Sequence, residues 1–247
     1  MTGAARAMGR ALVFACVLAG CGARDTAREF TLGDHQVRVE APSGWETLDQ
    51  GRVVRFKNAR AELVLQDLGP AGPQGIRREV ERARDLWRSG QAAAAATRLG
   101  SVPVPRDLFP TPETGREFWA AWSRVSRAPE ETPFADVEPA FADILANVDA
   151  MPARSLAALV DAGLASLGHD SRRDVKSRGE YVIDGRPAQD VETWNRLTHD
   201  YPQRLLFVLN DGYLLVLAAD QGAGGDVVKA FERMRASLHF ADGKPRR

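Results

Sequence analysis

Hydrophobic and polar positions alternate from Glu29 onward. Val37, Val39 and Ala41 are separated by Arg38 and Glu40, the period of two that sets one strand face on a core and the other in water. Segments 29–32 and 35–41 flank Gly33-Asp34, a pair suited to a tight turn. Segments 53–57 and 61–68 flank Asn58-Ala59-Arg60 and predict a second hairpin, after which Gly69-Pro70-Ala71-Gly72-Pro73 breaks the pattern.

Between Ile76 and Gly168 the period becomes helical. Ile76, Val80, Ala83 and Trp87 share a stripe, and 92–99 is an alanine-rich helix after Gly90. Thr111-Pro112 is an N-cap and first-turn pair, opening a helix with Phe118, Trp119, Trp122 and Val125. Thr132-Pro133 repeats that signal ahead of Phe134, Val137, Phe141, Ile144, Leu145 and Val148. Pro152 opens another helix, with Leu156, Leu159, Val160, Leu164 and Leu167 on one face. Strand periodicity returns after Arg173. Segments 180–183 and 186–194 flank Asp184-Gly185, a strong hairpin signal. Segments 205–209 and 213–219 flank Asn210-Asp211-Gly212 and are nearly all apolar, which predicts central strands buried on both faces. Asp226 caps a final helix with Val227, Phe231, Met234 and Leu238 facing inward.

Hairpins at both ends would each leave an apolar face uncovered alone. The expected fold is therefore a single α+β domain over residues 29–240. Its antiparallel sheet is assembled from N- and C-terminal hairpins, helices 76–88 and 226–238 pack on it, and about 90–168 form an α-helical insertion. Residues 241–247 read as a disordered basic tail. The order hairpins–helix–hairpins–helix resembles the PsbP-like α/β/α sandwiches, with Pro42-Ser43-Gly44-Trp45 after the first hairpin and Ile183-Asp184-Gly185-Arg186-Pro187-Ala188 in a later one. The resemblance covers roughly 29–88 and 172–240, and the long helical segment departs from the compact family pattern. It implies an adaptor or assembly role, since members serve mostly in that way.

The first twenty residues have another character. Arg6 and Arg10 precede an apolar run from Ala11 to Gly20, too short to span a bilayer but suited to an export signal. The run ends in Leu18-Ala19-Gly20-Cys21 and resembles the cleavage box of bacterial lipoprotein precursors. That resemblance implies diacylglycerol on the Cys21 sulfur, cleavage before Cys21 and acylation of the new amino terminus. Several acyl chains would anchor the protein stably in a membrane. Gly22 after the acylated residue implies the outer membrane, facing the periplasm. Cys16 lies in the leader, so the mature chain carries no free thiol, which excludes disulfides, a cysteine nucleophile and cysteine-ligated metal. Residues 22–28 form a polar tether reaching about 25 Å when extended.

The full chain has 33 basic and 33 acidic side chains. Two of the basic ones leave with the leader, and the slightly acidic remainder argues against nucleic-acid binding. His199-Asp200-Tyr201, at a turn between strands, is the best catalytic candidate, since a carboxylate can orient a histidine base. His35 beside Asp34 and His169 beside Asp170 are two more such neighbours, but no His-Glu-x-x-His spacing accompanies them. Gly222-Ala223-Gly224-Gly225 lies between strand and helix without completing a phosphate-binding fingerprint. Arg77, Arg78, Arg82, Arg84 and Arg88 alternate with acids on one helix, reading as a solvated, salt-bridged face or a contact for anionic lipid. Phe109, Phe118, Trp119 and Trp122 read either as core or as a partner surface, because aromatic residues dominate interface hot spots. The expectation is a membrane-anchored, non-enzymatic binding or adaptor module without cofactor, meeting an envelope protein partner. The alternatives are an envelope hydrolase using His199 with Asp200 or Asp170, and a purely structural envelope protein.

Overall fold

The computed structural model describes residues 26–194, 202–220 and 224–241. The chain is α+β. Five strands come first: β1 Thr26–Leu32, β2 His35–Ala41, β3 Glu46–Asp49, β4 Val53–Lys57 and β5 Glu62–Pro70. Five helices follow: α1 Gly72–Arg88, α2 Ala92–Gly100, α3 Pro112–Ser126, α4 Phe134–Asp149 and α5 Leu156–Ser166. The chain closes with β6 Val175–Ile183, β7 Arg186–Trp194, β8 Pro202–Asn210, β9 Tyr213–Asp220, α6 Gly225–Ser237 and β10 His239–Phe240.

The main sheet has seven antiparallel strands in the order β3-β4-β5-β9-β8-β7-β6. Its two halves come from opposite ends of the chain and meet where β5 pairs with β9, Leu63 opposite Ala219 and Leu65 opposite Leu217. One face, carrying Phe56, Leu63, Leu65, Leu206 and Leu217, packs against Phe231 and Met234 of α6 and against Leu32, Val37 and Val39. On the other face Val191, Leu205, Phe207, Leu214 and Val216 pack against Val160 and Leu164 of α5. Strands β8 and β9 are thus covered on both sides, which explains their nearly continuous apolar sequences.

Three details differ from the sequence reading. The β1–β2 hairpin does not join the main sheet but forms a second, three-stranded sheet with β10. Strand β3, Glu-Thr-Leu-Asp, escaped detection because an exposed edge strand has no apolar alternation to show. Helix α1 packs chiefly into the helical body, where Ile76, Val80, Ala83 and Trp87 share a core with Phe118, Trp122, Phe141 and Ile144, while α5 covers the sheet instead.

The helix starts are also shifted. Pro133 is the N-cap of α4, not Thr132. Helix α5 is capped by Ser155, whose hydroxyl accepts the Ala158 N–H at 3.3 Å, four residues into the segment that Pro152 opens. Asp226 sits in the first turn of α6, behind Gly224, which is the N-cap. Its charge still favours the positive end of the helix dipole. Ala241 donates its N–H to the Gln36 carbonyl at 3.1 Å, and the rest of the tail read at 241–247 lies outside the described residues.

Helix α1 meets the sheet at the β8–β9 turn through close backbone contact, beside the Arg78–Asp211 ion pair. The Ala71 N–H donates to the Gly212 carbonyl at 2.7 Å. A Cβ on Gly75 would stand 2.1 Å from that same oxygen and 2.9 Å from the Pro70 Cα. The nearest atoms are backbone, and the Pro70 ring, at 3.0 Å, cannot rotate away, so Gly75→Ala must push α1 off the turn. The expected cost is about 2 kcal/mol, read as a lower urea midpoint, whereas Gly100→Ala, which faces open space, should be neutral or slightly stabilising.

Candidate functional site

Where the helical body meets the sheet, charged groups are packed between elements. Glu79 of α1 is 6% exposed, and an unpaired carboxylate there would be costly. It is instead surrounded by donors. Arg98 Nε of α2 donates to it at 2.6 Å, Arg82 Nη1 at 3.2 Å, and the Tyr213 hydroxyl of β9 donates to it as well. Asp34, in the β1–β2 turn, accepts from both arginines. Two carboxylates, two guanidiniums and a phenol therefore join α1, α2, β9 and the first hairpin. Burial and the Glu79 bond push the Tyr213 hydroxyl well above its ordinary value, so it stays protonated as a donor. Burial alone would lower the Arg98 value, but the bond to Glu79 and the charges of Glu79 and Asp34 raise it further. The cavity beside this network measures about 510 Å³. Its charges neutralise one another, so the arrangement acts as a joint.

His35 lies behind the joint, 7% exposed, with its ring edge-on to Tyr213 at 4.6 Å. Asn210 Oδ1 accepts from Arg186 Nε at 2.5 Å, so its amide nitrogen donates to His35 Nδ1 at 3.0 Å. The imidazole proton then sits on Nε2, which is buried without a partner among the described residues. Burial lowers the His35 pKa and outweighs the opposing pull of Asp67 and Asp34.

The second feature is an open groove of about 600 Å³ on the sheet face that α5 leaves bare. Its floor includes Val64, Leu205 and Val216, and its walls carry Arg55, Lys57, Arg60, Gln66, His169 and Gln203. Glu62 accepts from Arg55 at 2.7 Å and lies 3.6 Å from Lys57. Among the described residues one carboxylate thus faces three cations, a positive excess over an apolar floor.

No family model matches the chain, and no curated protein matches it.

The candidates read from sequence fall in different places. Cys21, the tether up to Asp25 and His199-Asp200-Tyr201 lie outside the described residues, as do Gly222 and Ala223. His35 and Asp34 are adjacent in sequence but turn apart, Asp34 to the arginines and His35 to Asn210. Asp170 accepts the backbone N–H groups of Arg172 and Arg173, which lower its pKa. It organises a turn, while His169 lines the groove. Phe118 and Trp122, read either as core or as a partner surface, are core residues at 0% and 7% exposure, because 118, 122 and 125 form the inward stripe of α3. Trp119 remains at the surface and Phe109 is half-buried against Phe118.

The α1 arginines form the salt-bridged face that their alternation with acids implied. Arg77 pairs with Glu81 and Asp149, Arg78 with Asp211, Arg82 with Asp34 and Glu79, and Arg88 with Glu138. Among the described residues no group of three His, Cys, Asp or Glu side chains could hold a metal ion. The joint itself went unread, although Glu79 signalled it by falling on the apolar stripe between Ile76 and Ala83.

Two outcomes follow from the joint. Glu79→Ala should cost about 3 kcal/mol, because it leaves buried donors unpaired, and Tyr213→Phe should cost about 1 kcal/mol; urea unfolding reads both. For His35 the folded value lies below the free value of 6.5. The unfolded chain therefore binds a proton that the folded chain refuses. Stability from this group is complete above 6.5 and falls as the pH drops below it. In His35→Gln, whose amide oxygen can still accept from Asn210, the loss of urea midpoint between about pH 7.5 and 5.5 should be smaller than in wild type.

Proposed function

We propose that the protein is a bacterial envelope lipoprotein, anchored through Cys21 in the outer membrane and facing the periplasm, that acts as a non-enzymatic binding module. The observation that carries the binding role is the groove between α5 and the open face of β4, β5, β8 and β9. It has a volume suited to a ligand or an extended chain, an apolar floor, and more positive than negative charge along its walls. That combination favours an acidic segment of an envelope partner whose apolar side chains reach Val64 and Val216. The leader and its Leu-Ala-Gly-Cys box support the anchor, and the likeness in element order to the PsbP-like sandwiches supports an adaptor role.

The anchor is tested by Cys21→Ala in the full chain. The expected result is loss of the acyl mass and release from the membrane fraction; continued membrane binding without acyl mass removes the anchor. The groove is tested with a photo-crosslinking side chain at Gln66. An adduct is expected in cells, and Arg55→Glu with Lys57→Glu should weaken that partner about tenfold, from about 0.7 kcal/mol per exposed charge. An adduct that both reversals leave undiminished would remove the acidic-partner reading.

A further inference from the structure

The two rims of the main sheet differ in what they carry. At one rim lie the β3–β4 turn, the β6–β7 turn and the β8–β9 turn, and the helical body docks there through Gly75 on Gly212. At the other rim the registers align Glu46 with Lys57, Lys57 with Glu62, Leu63 with Ala219, Trp194 with Pro202 and Val175 with Thr193. Strand β1 runs from this second rim to the first. Arg28 reaches Thr47 at 3.0 Å near its start, and the Gly33 N–H donates to Gly51 at 3.1 Å just past its end. Thr26, the first described residue, therefore stands at the rim opposite the helical body.

Only five residue steps separate Thr26 from Cys21, a span of at most about 18 Å. Strand β5 alone, nine residues long, covers about 27 Å between the rims. An acyl chain on Cys21 can therefore bring the Thr26 rim to a lipid surface but holds the helical body beyond it.

The side chains at that rim fit such a surface. Arg60 in the β4–β5 turn and Arg172 and Arg173 ahead of β6 are exposed, and no ion pair occupies them among the described residues. Trp194 is 39% exposed, with Lys176 Nζ 4.2 Å from its ring centroid, a pair of the amphipathic kind found at membrane interfaces. Cationic side chains near an anionic leaflet gain from its surface potential within a Debye length. The α1 arginines, which the sequence offered for this contact, are at the opposite rim and already paired.

We infer that the Thr26 rim is a membrane-facing surface, with Arg60, Arg172 and Arg173 over anionic lipid headgroups, Trp194 at the interface, and the helical body presented away from the membrane. This rests on the Cys21 anchor proposed above.

The acylated full chain offers a direct test. Cys16 leaves with the leader and Cys21 carries the lipid, so an introduced cysteine is the one thiol open to a fluorophore. Ala59→Cys and Ser171→Cys report on the Thr26 rim, and Glu117→Cys and Glu130→Cys on the helical body. Each labelled chain is reconstituted into phosphatidylethanolamine–phosphatidylglycerol vesicles carrying a headgroup nitroxide quencher. The labels at 59 and 171 are expected to lose fluorescence and those at 117 and 130 to keep it. Adding Arg60→Glu, Arg172→Glu and Arg173→Glu is expected to reduce the loss at 59, and an unchanged loss overturns the headgroup contact. Equal quenching at all four positions, or stronger quenching at 117 and 130, overturns the orientation while acyl mass and vesicle flotation leave the anchor standing. Absence of both acyl mass and flotation overturns anchor and orientation together.

Discussion

Glu79 holds two bodies of structure in one arrangement. The helical body has its own apolar core, and the sheet core is separate from it. What fastens them is a buried carboxylate with donors from α1, α2 and β9, tied through Arg82 and Arg98 to the turn of the first hairpin. Apolar surfaces slide with little directional preference, whereas a carboxylate with fixed donors accepts few geometries. A buried ion network adds little net stability over an apolar contact, so its contribution here is orientation. The backbone contact of Gly75 on Gly212 supplies the pivot, and the charge network sets the angle about it.

A similar device secures α6 on the sheet. Arg204 Nε of β8 donates to both oxygens of Asp190 in β7, at 3.2 and 3.0 Å, and Arg204 also pairs with Glu232 of α6. Arg235 of α6 reaches the same Asp190 at 3.3 Å and lies over the Tyr181 ring. Helix α6 is thus oriented on the sheet by acids and arginines at the edge of an apolar interface. In both places the basic residues are arginines, whose planar fork can serve two carboxylates at once.

Much of the architecture was legible from periodicity. Alternation located β2, β4 and β5, the helical stripes located α1, α3 and α4, and the apolar runs of β8 and β9 marked strands covered on both faces. Periodicity says which way a side chain faces, but not which element covers it. That is why α5, striped like its neighbours, was grouped with the helical body although it lies on the sheet, and why the first hairpin was placed in the main sheet. Phe118 and Trp122 show the same limit, since an inward aromatic stripe and an interface stripe have identical spacing. The groove could not be read at all. Arg55 and Gln66 come from one half of the chain and His169 and Gln203 from the other, and the pairing of β5 with β9 brings the two halves together.

That pairing has a consequence for how the chain comes to be folded. Leu63 finds Ala219 only after the whole helical segment has been made, and closing a loop of that length carries an entropic cost before any contact repays it. The helices depend mostly on near neighbours in sequence and can order early. Until β9 exists, β5 keeps one row of backbone donors and acceptors open, beside an apolar face awaiting its cover. Such an edge is a template for any other strand it meets. The most vulnerable moment of this protein therefore comes before β9 takes its place, while the sheet still consists of two unjoined halves.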